Sequence, residues 1–194
     1  MSQYDIIDEL VGSPSELRKR RPITKDQAQK SYEALFSNVK NSGFSLKDRF
    51  AIATFVSRLH GFDNAINFYE NELKELQPDW AKIIEEAANA AKSTGPFGRY
   101  PDGPLTKENT VGKSWSAGAE LKNSLGEKLA AALSHSHLLV FHPRDSEPTH
   151  LEALKQAGWN NDEIVTLSQL VAFLSFQLRL ALGLQALFAF KSAD

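Results

Sequence analysis

From Ile164 to Phe190 the sequence runs for 27 residues without a proline, and it is apolar nearly all the way round at 100° per residue. A helix of that kind belongs in the middle of a bundle or in a subunit interface. Ser168, Ala172, Ser175, Arg179 and Ala186 fall close together on it, a narrow stripe of mostly small residues that lets another helix approach. Gln169, Gln177, Arg179 and Gln185 interrupt the run at depths where hydrocarbon would penalise them, so the segment reads as a buried helix and not as a membrane span. Its cap is Asn160 or Asn161, and it extends to about Phe190. The expectation is a homo-oligomer joined through these helices, with no membrane partner.

Helical periodicity also dominates the rest of the chain, and strand alternation is almost absent. Thr24 and Gln27 have the spacing of a capping box, ahead of an apolar face of Ala28, Tyr32, Leu35, Phe36 and Val39. Ser45 can cap a second helix whose stripe is Ile52, Phe55, Val56 and Leu59, and Gly61 ends it. A third helix carries Phe62, Ala65, Ile66, Tyr69 and Leu73, and Pro78 starts a fourth with Trp80, Ile83, Ile84, Ala87 and Ala91. Later come a helix with Leu121, Leu125, Leu129, Ala132 and Leu133, and a short one capped by Thr149 and Glu152 that closes at Gly158. The predicted architecture is a single all-α domain: a helical half over 1–92, a Gly/Pro-rich loop over 93–115, and a second helical half over 116–194.

That loop holds four of the 11 glycines and three of the 8 prolines. Structureless connections of this length inside a domain are linkers, lids or binding loops. Two readings stand: a linker wrapped over the surface, the commoner case, or a cover over a pocket with Phe97, Arg99 and Tyr100 pointing in.

A net charge of −2 leaves no electrostatic footprint for general nucleic-acid binding. The run Arg18 to Arg21 reads as a solvated helix end, without an assigned function. The N-terminus lacks the basic and apolar regions of a signal peptide, so the expected compartment is the cytosol. The absence of cysteine excludes disulfides, zinc–thiolate sites and thiol catalysis.

The segment from Ser45 to Ala53, then Ser57 to Gly61 and Phe62 to Tyr69, resembles the core of the alkyl hydroperoxidase D-like, or carboxymuconolactone decarboxylase, superfamily. His142 to Asp145, Leu151 to Leu154, Ala157 to Trp159, Asp162 to Val165 and the run Leu167 to Arg179 resemble its peroxidase-related branch. Together these stretches cover most of 45–190. The resemblance implies an all-α bundle with two related halves, an oligomer, and a Glu-x11-Cys-x2-Cys-x3-His relay in peroxidatic members. Anchored on Arg49 and Gly61, the four relay positions are Phe50, Phe62, Ala65 and Tyr69, and none retains the family residue. A second copy of the template laid from Glu163 meets Ser175, Leu178 and Leu182, which supply no sulfur either.

Two clusters remain as candidate sites. His60, Tyr69, Glu70 and Arg179 would surround the family's active site if the last helix packs on the core pair, and could serve cofactor-free proton transfer or decarboxylation of a small carboxylate. The competing reading makes Arg179 a buried, structurally paired charge and His60 a surface C-cap. His135, His137, His142 and His150 lie within sixteen positions, with Asp145 and Glu147 nearby. On a helix His135 and His137 point about 200° apart, and the set matches no known ligand spacing, so no metal and no cofactor is expected. The sequence thus implies a family member without the redox centre, acting as a subunit, a partner or a small-ligand-binding protein linked to peroxide metabolism. The alternative is a cofactor-free, lyase-like enzyme on a small organic acid, and last a hydroperoxidase in its own right.

Overall fold

In the computed structural model, which describes residues 5–12, 16–37, 39 and 43–191, helix follows helix. They are α1 (Ile6–Val11), α2 (Pro22–Phe36), α3 (Leu46–His60), α4 (Asp63–Leu76), α5 (Trp80–Ala91), α6 (Ala119–Leu125), α7 (Glu127–Phe141), α8 (Pro148–Gln156) and α9 (Asn161–Lys191). Among the described residues there is no strand, only an isolated antiparallel bridge between Gly98 and Thr110. The fold is an all-α helical bundle, as the periodicity predicts.

Local chemistry sets most of the boundaries. Ser45 Oγ accepts from the Asp48 N–H and donates to Asp48 Oδ2, which caps α3, and Gly61 ends it in the left-handed region at φ 67°. Asn160 and Glu163 form a reciprocal capping box that starts α9. Two expected caps are corrected. Proline at the first helical position starts α2 at Pro22, so Thr24 and Gln27 lie inside the helix, and Val39 lies beyond its end. Likewise α8 starts at Pro148, and its capping box is Glu147 with His150, not Thr149 with Glu152. The single helix expected around Leu121 to Leu133 is two, because Gly126 breaks it at φ 85°.

Burial distinguishes two helices in a way that composition does not. Every residue of α3 from Arg49 to Ser57 is buried, since α4, α5, α7 and α9 all pack around it. By contrast, α9 buries Leu167, Leu170, Leu174, Leu178 and Ala181 on one side, while Val165, Ala172, Phe176, Arg179, Gly183 and Phe190 on the other side are exposed. The expectation of an all-round buried last helix is therefore corrected: α3 is the surrounded helix, and the outer side of α9 is apolar but open.

Buried charges are tied down. Arg49 donates to the carbonyls of Leu35 (2.7 Å) and Phe44 (3.2 Å), closing the C-terminal end of α2, and burial lowers its pKa. Arg18, expected in solvent, is buried against Asp5 and Asp8, so it is a structural ion pair. Phe44 stacks edge-on against Trp159 at 4.8 Å, and Trp159 donates to the Lys128 carbonyl at 2.8 Å. These contacts pin the start of α9 to α7 and to the segment before α3.

Candidate functional site

At the positions where the family template puts its relay, the chain is filled with rings. Phe50, Phe62, Ala65 and Tyr69 are all buried. The Phe36 ring lies 4.9 Å from Phe50 and 5.6 Å from Tyr69, and Phe68 meets Tyr69 edge-on at 5.0 Å. The Tyr69 hydroxyl donates to Gln177 Oε1 at 2.5 Å, which satisfies it within the core.

The other members of the first cluster are dispersed around this plug. Glu70, next to Tyr69 in sequence, faces away and pairs with Arg58 and Lys74, with Arg58 reaching Glu85 at 3.1 Å. Arg179 is exposed, which corrects its reading as a buried charge, and it borders a groove of about 400 Å³ with Leu139, Val140, Pro143 and Ser175. His60 is half-buried, with Nε2 unpartnered, and burial plus the charge of Arg179 push its pKa down to about 4. His60 and Arg179 thus feel each other, whereas Tyr69 is satisfied by Gln177 inside the core and Glu70 is paired with Arg58 and Lys74.

The second cluster does share one. Four histidines, His135, His137, His142 and His150, line a single cavity of about 720 Å³, together with Asp145, Trp115 and Ser134. Its floor is α7, where Ala131, His135 and Leu138 follow at steps of four and three and so share a helix face, with His142 at the C-terminal cap just beyond it. One wall is α8, through His150, Ala153 and Leu154. The other is the end of the Gly/Pro-rich segment, through Ser114 to Ala117.

That segment is docked tightly enough to serve as a wall. The Phe97 N–H donates to the Phe141 carbonyl at 2.6 Å, and the Phe97 ring packs 5.2 Å from His142. A Cβ on Gly112 would lie 2.2 Å from the Phe97 ring, so only glycine fits there. The Ala117 N–H donates to Ser134 Oγ at 2.9 Å. Of the three residues expected to point into a pocket, Phe97 packs against His142 without lining the cavity, Tyr100 stacks on Arg144 at 4.5 Å, and Arg99 is exposed. Trp115, which sequence reasoning passed over, forms the wall.

The four imidazoles have different partners. His142 Nδ1 lies 3.0 Å from Asp145 Oδ2 and Nε2 lies 3.1 Å from the Lys113 carbonyl. Both of its ring nitrogens therefore have oxygen partners. The bond from His142 holds the Asp145 carboxyl below its ordinary range. His137 Nε2 is 3.1 Å from the Ala91 carbonyl, and burial lowers its pKa. His150 Nδ1 accepts from the Glu147 N–H at 3.0 Å. His135 differs from all three. It is only 5% exposed, neither ring nitrogen has a partner, and burial, with the nearby His150, pushes its pKa down to about 4. Near neutral pH it is an uncharged ring offering one donor and one acceptor.

Among the described residues, no group of three or more His, Asp and Glu side chains is placed to hold a metal ion. His135 and His137 diverge on α7, and His137 Nε2 and both nitrogens of His142 are taken by carbonyl and carboxylate oxygens. The arrangement suits a small organic molecule with a hydrogen-bonding head and an apolar body, the body lying among Trp115, Ala131, Leu138 and Leu154. The sequence signal for this site was the grouping of four histidines within sixteen positions; which of them share a cavity depends on the turn at His142, where α7 ends, and on the packing of α8. Comparison of the chain with protein-family models, curated proteins and solved structures finds no match.

Proposed function

We propose that this chain is a ligand-binding protein, related to the alkyl hydroperoxidase D-like and carboxymuconolactone decarboxylase superfamily but without its redox centre. Its binding site is the histidine-lined cavity between α7, α8 and the 93–117 segment. The observation that carries the reading is His135: a buried imidazole costs free energy when both nitrogens are unpartnered, and a ligand in the cavity offsets that cost. The ligand class is a small, uncharged or singly charged organic molecule with adjacent donor and acceptor atoms. The link to peroxide metabolism follows from the family resemblance, and the absence of cysteine leaves the chain dependent on a partner for any thiol redox step.

Trp115 lines the same cavity, so its fluorescence reports occupancy. A panel of small organic acids, amides and hydroperoxides, screened by thermal shift and tryptophan quenching, yields at least one ligand that raises the melting temperature. His135→Phe fills the cavity and abolishes that shift. No ligand across the panel, or equal binding by His135→Phe, overturns the reading.

A second reading, a cofactor-free lyase-like enzyme, is favoured by the same unpartnered nitrogens, because a neutral, buried imidazole beside a cavity can act as a base. Turnover of a bound acid by the wild type, lost in His135→Gln while binding survives, selects it. Hydroperoxide reduction with a dithiol donor would instead restore the peroxidase reading.

A further inference from the structure

We infer that the outer face of α9 is the contact through which two copies of this chain pair, antiparallel, about a two-fold axis beside Gln177 and Leu178. The exposed positions Val165, Gln169, Ala172, Phe176, Arg179, Gly183, Ala186 and Phe190 follow at alternating steps of four and three. That is the seam spacing of two helices packed along their length.

The seam is complementary to itself when reversed. About this axis Val165 meets the partner's Phe190, and Gln169 meets the partner's Ala186. Ala172 meets the partner's Gly183, and Phe176 meets the partner's Arg179. Apolar ends face apolar ends, and small residues face small residues where the backbones must come close. Near the axis each guanidinium lies on an aromatic ring, a cation–π pair made twice. Arg179 has no carboxylate partner among the described ion pairs, and Phe176 and Phe190 are 44% and 72% exposed. No parallel pairing gives Arg179 a ring, because it would set Arg179 against itself.

The face is long enough to hold. From Val165 to Phe190 it extends about 38 Å, and a strip of that length covers roughly 500 Å² on each copy, about 1,000 Å² in total, the lower bound for a specific contact. The groove of about 400 Å³ beside Ala172, Ser175 and Arg179 runs along the same edge and widens the footprint. By length and composition α9 could also cross a membrane, so a lipid surface is the competing occupant.

The chain has no cysteine, which makes the register directly testable. Ala172→Cys and Gly183→Cys are prepared separately; a Cβ at Gly183 meets nothing within 4 Å, so both variants fold. Under oxidation the mixture gives a covalent dimer joining the two different variants, while each variant alone gives none, since like positions are separated by the reversal. Wild type sediments at twice the 21.5 kDa of the chain, and Arg179→Glu raises the dimer dissociation constant at least about tenfold by removing both cation–π pairs. A monomer at micromolar concentration overturns the inference. So does a covalent dimer of either single variant, or flotation of the wild type with phosphatidylcholine or phosphatidylglycerol vesicles in place of dimerisation.

Discussion

His135 and Arg49 illustrate two ways to keep a polar side chain out of water. Arg49 is satisfied: its guanidinium closes the carbonyls of Leu35 and Phe44. Arg49→Met removes those bonds and leaves two buried acceptors open, and the expected loss is about 3 kcal/mol in urea denaturation. His135 is unsatisfied. His135→Leu therefore leaves ligand-free stability unchanged or raises it by about 1 kcal/mol, while ligand binding is lost. A marked destabilisation of the ligand-free protein by His135→Leu would mean that the ring has a structural partner after all.

At the scale of elements, two glycines do different things. Gly126 separates α6 from α7 at φ 85°, with open space where a Cβ would go. Gly126→Ala costs only backbone strain, about 1 kcal/mol, and leaves the cavity intact. Gly112 has the opposite problem, for the Phe97 ring already occupies the position of a Cβ. Gly112→Ala forces Phe97 off His142, costs about 1–3 kcal/mol, and exposes the amides of the 97–117 segment to hydrogen exchange. Exchange unchanged in that segment would show that the wall is not held by Phe97.

For the molecule as a whole, acid is the sensitive direction. His60 and His135 have folded pKa values of about 4, against an ordinary 6.5. Between those values the unfolded chain binds protons that the folded chain does not, so stability falls as pH drops through that window and is level above it. His135 alone accounts for up to about 3 kcal/mol, and the half-buried His60 for less. Asp145 and Glu163, whose carboxyls are held low by His142 and, against the opposing effect of burial, by Lys128, release their contribution at still lower pH. Urea midpoints measured from about pH 7.5 to pH 5 fall steadily in the wild type and less in His135→Leu. Parallel pH profiles for the two proteins would remove His135 as a cause.

What the sequence determined is local. Ser45, Gly61, Asn160 and Gly158 mark helix ends through bonds made within a few residues, and those ends stand where the spacing puts them. Prolines 22 and 148 moved two starts, because a ring that fixes φ and lacks an N–H outweighs a nearby hydroxyl. Tertiary structure decided which apolar helix is surrounded. α3 and α9 are both rich in apolar residues, and only the arrangement of α4, α5 and α7 encloses one and leaves the other half open. It also decided the site. The template positions Phe50, Phe62, Ala65 and Tyr69 closed into an aromatic core, while His135 and His142 acquired a cavity once α8 and the 93–117 segment packed against α7. A cavity is bounded by residues distant in sequence, and short-range spacing carries no record of that meeting.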